Sequence, residues 1–263
     1  MGKPILYRNH EVIEYRQGAV DKKDDDVVIE KPVTLFLNHM ELATMICSPG
    51  GYEELGTGFL LSEGLVKKRP DIIDISCREE DGLLYIETSC PTPQTGNFLR
   101  RHIASCCGKS RAGVYFINDA RELEPVQSET QYTIEQLLNI IALLEENSQT
   151  FQHTGGVHSA ALADHSGLLI MFEDIGRHNA IDKVLGRAFL DEMATEDKCL
   201  VLSGRIASEI LIKTIRGHIP VLLSRSAPTD LTLRLAEEFN ITIVGFARGQ
   251  NLNIYTHPER ILN

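Results

Sequence analysis

Four apolar runs in the C-terminal half of the chain alternate with helix-length segments, and each run leads into an arginine beside small or hydroxyl residues. The runs are Leu168–Phe172, Leu200–Leu202, Val221–Leu223 and Ile241–Val244. Between the first two, Arg177–Glu192 sets Ile181, Val184, Leu185, Ala188 and Phe189 on one helical face. The next intervals carry Ile210, Leu211 and Ile215, and then Leu231, Leu235 and Phe239. Strands alternating with helices of this length predict parallel pairing through right-handed crossovers. Upstream, Thr133-Ile134-Glu135-Gln136 is a capping-box start for a helix with Leu137, Leu138, Ile141 and Leu144 along one stripe. Val157–Ala163 reads as a strand joined to Leu168–Phe172 at Asp164-His165-Ser166-Gly167.

In an open parallel sheet, ligands bind beyond the carboxyl ends of the strands. Those ends read Glu173-Asp174-Ile175-Gly176-Arg177-His178, Ser203-Gly204-Arg205, Ser224-Arg225-Ser226 and Phe246-Ala247-Arg248-Gly249-Gln250-Asn251. Parallel strands bring their ends to one edge, and a guanidinium presents a planar fork suited to phosphate. An anion pocket is therefore expected there, with Arg205 and Arg225 as ligands and Phe246 placed to stack on a base. The competing expectation is that these arginines pair with carboxylates such as Asp174 or Glu209.

The N-terminal half is shorter in its signals. Residues 1–31 read as a strand-forming arm broken by a solvated loop at Asp21-Lys22-Lys23-Asp24-Asp25-Asp26. Pro32–Cys47 reads as a hairpin around Asn38-His39, and Tyr52–Val66 as a helix after the Pro49-Gly50-Gly51 break. Ile72–Ile75 and Leu83–Ile86 flank an Asp81-Gly82 turn and form a second hairpin. A short helix is expected through Phe98, Leu99 and Ile103, and a polar linker from Asp119 to Tyr132. The expected fold class is α/β: a C-terminal lobe over 126–263 with a largely parallel sheet, and a smaller N-terminal α+β lobe over 1–125.

Cys106 and Cys107 close the N-terminal lobe, followed by Gly108, Lys109, Ser110 and Arg111. A thiol attacks only as thiolate, and nearby cations lower its pKa from about 8.5. Gly108 frees the backbone to turn and expose a sulfur. Two small buried hydrophobes in a loop, with Lys109 and Arg111 serving solubility, is the alternative. The remaining cysteines (47, 77, 90 and 199) form no Cys-x-x-Cys pair, so no zinc-ribbon spacing exists.

Composition narrows the function. The net charge of −11 argues against nucleic acid as the main partner, while leaving room for a local cationic pocket. No apolar run approaches the ~18 residues of a membrane span. Met1–Arg8 lacks the apolar core of a signal peptide, so a cytoplasmic protein with reduced cysteines is expected.

The C-terminal element order is similar to the cytidine-deaminase-like fold. Zinc deaminases need His-x-Glu at one helix start and Pro-Cys-x-x-Cys at the next. Here those places read His178-Asn179-Ala180 and Gly204-Arg205-Ile206-Ala207-Ser208. His39-Met40-Glu41 matches the first pattern but lies in a hairpin with no cysteine pair after it. No zinc is expected.

From about Pro32 to Pro258 the chain resembles the FdhD family of formate dehydrogenase accessory sulfurtransferases. The resemblance rests on Ser48-Pro49-Gly50, Gly58–Gly64, Thr154-Gly155-Gly156-Val157-His158, Glu173–Ala180, Ser203-Gly204-Arg205, Ser224–Thr229 and Gly245–Arg248. It implies a sulfur carrier that takes persulfide sulfur from a cysteine desulfurase and passes it to the molybdenum cofactor before insertion into formate dehydrogenase. That client is the bis(molybdopterin guanine dinucleotide) form, and by family position Phe246, Ala247, Arg248, Gly249, Gln250 and Asn251 would bind it. Many members carry Cys-Gly-x-Cys-Gly. Here Ser110 stands at the second cysteine, which leaves Cys107 as the expected carrier. The other functional expectation is a non-covalent chaperone for the same cofactor, and a homodimer is expected from the edges of the N-terminal hairpins.

Overall fold

The computed structural model describes residues 4–92 and 123–263. The Cys106–Arg111 stretch and the short helix expected through Phe98, Leu99 and Ile103 lie outside the described residues.

The chain begins with a two-stranded antiparallel ribbon, β1 (Tyr7–Arg16) and β2 (Ala19–Val28). Gln17 and Gly18 turn it with φ of 52° and 90°, the positive values a two-residue hairpin turn requires. The acidic run at Asp21–Asp26 is therefore not a loop but the middle of β2. Neither face of the ribbon is buried, so the strand needs no apolar alternation. Lys22 and Lys23 reach Glu11 and Glu14 on β1, each at 2.8 Å, and dilute the like charge.

β3 (Lys31–Leu37) and β4 (Met40–Cys47) form the expected hairpin, with Asn38 and His39 both at positive φ. After α1 (Tyr52–Ser62) come β5 (Ile72–Arg78) and β6 (Leu83–Thr88), which complete a sheet in the order β4-β3-β6-β5. Val33, Leu35, Leu37, Leu84 and Ile86 point from it into the core.

The second half runs β7 (Tyr132–Thr133), α2 (Ile134–Asn147), α3 (Gln149–Thr154), β8 (His158–Asp164) and β9 (Gly167–Asp174). It continues with α4 (Arg177–Leu190), β10 (Cys199–Leu202), α5 (Ser208–Arg216), β11 (Val221–Ser224) and α6 (Asp230–Glu238). β12 (Thr242–Arg248), β13 (Asn251–Ile254) and β14 (Ile261–Leu262) close it, and β14 pairs with β7. Thr133 accepts from the Gln136 backbone N–H at 3.1 Å while Gln136 accepts from the Thr133 N–H at 2.8 Å, the capping box read from sequence.

The main sheet has the order β13-β12-β11-β10-β8-β9. Only β10–β11 and β11–β12 pair in parallel; β8, β9 and β13 enter antiparallel. The fold is α/β, but the sheet is mixed rather than largely parallel. The four-residue connection at Asp164–Gly167 allows only a hairpin, so β8 must run against β9, and the turn at Gly249-Gln250 does the same to β13.

Alternate residues of the central strands face two separate layers. Cys199, Val201, Val221 and Leu223 pack against α2, while Leu200, Leu202 and Leu222 pack toward α4, α5 and α1. One apolar cluster joins Val33, Leu35 and Leu55 to Val184, Leu211 and Ile243, so it draws on both halves of the chain. The segment from Leu123 has little regular structure but is anchored: Val126 is buried, and its N–H donates to the Phe239 carbonyl at 3.0 Å. α1 crosses α4 at glycines, a Cβ on Gly58 colliding with the Asp182 carbonyl and one on Gly186 with the Glu54 carbonyl.

Candidate functional site

β9, β10, β11 and β12 all point the same way, because β9 and β10 are each antiparallel to the β8 between them. Their C-terminal ends therefore share one edge of the sheet, as expected from the four strand ends. β8 starts at that edge, which adds His158 to it.

The loops at this edge are tied to one another. Ser159 and Ser203 exchange two hydrogen bonds, Ser203 N to Ser159 O at 3.0 Å and Ser159 N to Ser203 Oγ at 3.1 Å. Ser224 Oγ donates to the Gly204 carbonyl at 2.7 Å and accepts from Ser226 N at 3.0 Å. Phe246 N donates to Ser226 O at 3.1 Å, and Arg248 Nε donates to Arg225 O at 2.8 Å. The small and hydroxyl residues thus fasten neighbouring strand ends together, and the arginines stand on that framework.

The arginines divide into two sets. Arg225 Nε lies 2.6 Å from Glu145 Oε1 at the end of α2, so a carboxylate already accompanies it. Both groups are half-exposed, which leaves the pair worth little in stability. Arg177 and Arg205 have no carboxylate within ion-pair distance among the described residues, and burial together with the nearby Arg205 charge lowers the Arg177 pKa. His158 borders them. Burial, then Arg177, then His178 push its pKa below the usual imidazole value, against an opposing pull from Asp174. His178 Nε2 lies 3.2 Å from Glu209 Oε2, a carboxylate contact of the kind anticipated, although on the histidine rather than on an arginine.

Phe246–Asn251 forms the tip of the β12–β13 hairpin rather than an open loop. Pairing shifts register between Gly245 and Arg248, and the turn itself is Gly249-Gln250, with Gly249 at φ 56°. The bulge leaves Ala247 buried and puts Phe246 at φ 51° with 43% of its surface exposed. Arg248 Cζ sits 6.0 Å from the Phe246 ring centroid. Bulges re-aim side chains, and this one turns an aromatic face and a guanidinium outward together.

Behind the edge, Asp174 organises the β9–α4 turn. Its buried carboxylate accepts from Ser48 N at 3.0 Å, Gly176 N at 2.9 Å and Asn179 Nδ2 at 2.9 Å, and Lys183 Nζ stands 2.7 Å away. Lys183 also donates to Ser48 O at 2.9 Å, so the Ser48-Pro49-Gly50 segment is part of the support for Arg177 and His178.

Four cysteines are described. Burial pushes the Cys47 thiol up to about 12 and the Cys77 thiol to about 11, and the fully buried Cys199 is raised further. Such thiols are poor nucleophiles at neutral pH. Among the described residues, no group of three or more His, Cys, Asp and Glu side chains is arranged to hold a metal ion. No described helix is long and apolar enough to cross a membrane.

A mixed α/β sheet presenting guanidinium, imidazole and hydroxyl groups at one edge defines a class of protein built to hold an anionic ligand. The chain belongs to the FdhD/NarQ family, which it matches over residues 28–262. It is 42% identical over 252 residues to the sulfur carrier protein FdhD of Bacillus subtilis, covering 95% of this chain and 96% of that one. The protein of the same name from Halalkalibacterium halodurans is 44% identical over 259 residues, covering 98% and 96%. A crystal structure from Desulfotalea psychrophila, described as that of a formate dehydrogenase accessory protein, superposes with a TM-score of 0.81 at 27% identity. That likeness covers 98% of this chain and 100% of the other.

Proposed function

We propose that this chain is a cytoplasmic sulfur carrier serving a formate dehydrogenase, with Cys107 as the sulfur-bearing residue. The observation that carries the reading is the near-full-length similarity to proteins named sulfur carrier protein FdhD. The inert environments of Cys47, Cys77 and Cys199 support it by leaving few thiols suited to the task.

In this reading the Cys107 thiolate attacks the outer sulfur of a persulfide on a cysteine desulfurase. The new Cys107 S–S bond forms as the S–S bond of the donor breaks, the proton stays on the transferred sulfur, and the donor leaves as thiolate. Lys109 and Arg111 stabilise the anionic forms. The client is the molybdenum cofactor in its bis(molybdopterin guanine dinucleotide) form, which then receives the outer sulfur while Cys107 returns to a thiolate. Its phosphates suit Arg205, Arg225 and Arg248, and its base suits the outward face of Phe246, with Ala247, Gly249, Gln250 and Asn251 shaping the hairpin. The exposed Ile13, Tyr15 and Val20 on the open-edged β1–β2 ribbon support association of two copies.

Intact-mass analysis after incubation with a cysteine desulfurase and cysteine tests the assignment. The expected result is gain of one sulfur by the wild type and by Cys106→Ala, and none by Cys107→Ala. Sulfur on Cys107→Ala but not on Cys106→Ala would move the role to Cys106. Full rescue of formate dehydrogenase activity by the double alanine variant would replace the covalent reading with a non-covalent cofactor chaperone.

A further inference from the structure

The cation cluster at the ends of β8, β9 and β10 stands apart from the hairpin at β12–β13. A Cβ placed on Gly204 would lie 3.5 Å from Arg177 Cδ and 3.5 Å from His158 Nδ1, so both side chains close on the bare backbone after β10. Arg205 follows directly, and its charge is felt at Arg177. Two guanidiniums and two imidazoles meet one neighbouring carboxylate, Glu209, which is itself 3.2 Å from His178. Asp174 belongs to Lys183 and to three N–H donors, so it does not neutralise the cluster.

A partly buried arginine beside a second arginine, with no ion-pair partner for either among the described residues, is an electrostatic cost that folding alone does not recover. An anion seated between them recovers it. Gly204 leaves backbone space for close approach, and Arg forks match the oxygens of a phosphoryl group in paired hydrogen bonds. At the β11 end, by contrast, Arg225 already stands against Glu145.

We infer that Arg177, Arg205 and His158 form a phosphate-class oxyanion subsite of their own, distinct from the Phe246–Asn251 hairpin. It rests on the reading above in that the client carries phosphates, and it adds where one phosphoryl group is held. His158 borders the anion as a neutral donor or acceptor that can take up a proton as negative charge arrives.

Isothermal titration of the full chain with inorganic pyrophosphate at fixed ionic strength tests this. Arg177→Met and Arg205→Met are each expected to weaken binding by about tenfold or more, the scale of a lost charge-assisted hydrogen bond. Arg177→Lys is expected to retain part of the affinity. Arg234→Met, which removes an exposed arginine on α6 far along the chain from the cluster, controls for net charge and is expected to bind like the wild type. Arg205 is exposed, so its variant reports on the site even where a change at Arg177 disturbs folding. Guanosine diphosphate separates the sources. Tighter binding than pyrophosphate, lost in the same variants, assigns a nucleotide phosphate, and equal binding assigns the free diphosphate; both support the subsite. Wild-type failure to bind pyrophosphate at millimolar concentration overturns it. So does wild-type-like binding by both Met variants, or loss only with Arg225→Met or Arg248→Met. Sulfur loading of Cys107 is read by mass and stands or falls independently.

Discussion

Lys183 Nζ lies 2.7 Å from Asp174 Oδ2, with 1% and 0% of the two side chains exposed, and the pair joins the second turn of α4 to the end of β9 beneath the anion edge. Ser48 donates its N–H to the carboxylate and accepts from the ammonium, so the pair also pins the chain ahead of α1. Lys183→Met leaves a buried carboxylate without its cation. A loss of about 3 kcal/mol or more is expected, since breaking such a pair costs ~3–5 kcal/mol. Adding Asp174→Asn should restore part of it, because the amide keeps an acceptor and carries no charge. Urea unfolding of the two variants decides, and a double variant no more stable than Lys183→Met would show that the hydrogen bonds to Asp174, not its charge, dominate.

The crossing of α1 and α4 depends on two absent side chains. A methyl on Gly58 meets the Asp182 carbonyl, and one on Gly186 meets the Glu54 carbonyl, both rigid backbone atoms inside helices. Gly→Ala inside a helix normally gains up to ~1 kcal/mol of propensity. Here overpacking, typically ~1–3 kcal/mol and more against backbone, outweighs that gain. Both Gly58→Ala and Gly186→Ala should lower the denaturation midpoint, while Gly155→Ala, with open space around its Cβ, should pay only for its φ of 64°.

Thiol accessibility separates structural cysteines from reactive ones. With its pKa near 12, Cys47 holds a thiolate fraction of only about 10⁻⁴ at pH 8. Its Sγ also donates toward the Lys31 carbonyl at 3.6 Å, and the residue is closed to solvent. Native alkylation with iodoacetamide at pH 8 followed by peptide mapping should leave Cys47 and Cys199 unmodified and Cys77 slow. Rapid labelling of Cys47 would show that the first sheet opens readily.

Phe246 pays for its position. A bulky residue in the left-handed region costs on the order of 1–3 kcal/mol, and strain of this kind collects at ligand sites. Its exposed ring returns little burial energy in exchange. Phe246→Gly should therefore melt at or above the temperature of Phe246→Ala, since glycine removes the strain and alanine keeps most of it. Under the proposed function both should weaken binding of a guanine nucleotide. A glycine variant less stable than the alanine variant would assign the ring a packing role instead.

Local patterns made much of this architecture legible. Asn38-His39, Asp81-Gly82 and the Thr133–Gln136 box each act within a few residues, and each produced the element expected of it. Strand direction is different, because it depends on partners far away in sequence. That is why β8 and β13 reversed within a sheet expected to be largely parallel, and why His158 entered the edge as the first residue of a strand whose end was expected elsewhere. The motif Thr154–His158 was visible, but its place was not. The charge run in β2 misled for a related reason, since a strand with no buried face obeys no burial pattern and takes its support from Glu11 and Glu14 across the ribbon. Arg225 looked equivalent to Arg177 in the sequence; only the fold brings Glu145 to one and leaves the other without a carboxylate at ion-pair distance.

His158 makes the edge sensitive to acid. Burial, Arg177 and His178 all disfavour its charged form, with Asp174 opposing them, so its pKa in the folded protein lies below the ~6.5 of the unfolded chain. Between the two values the unfolded chain binds more protons, so this group's contribution to stability rises with pH there. It is fully present above ~6.5 and is lost as pH falls through the folded value. Melting temperatures from pH 7.5 to pH 5 should thus fall further for the wild type than for His158→Gln, which cannot charge. Saturating pyrophosphate should shrink the wild-type fall, because an anion beside the imidazole offsets the repulsion from Arg177 and His178. In Arg177→Met the acid fall should already be smaller, with one repelling charge removed, and pyrophosphate should change it little. If the anion leaves the wild-type profile unchanged while still binding, it sits away from His158, and the outward face of Arg248 becomes its place.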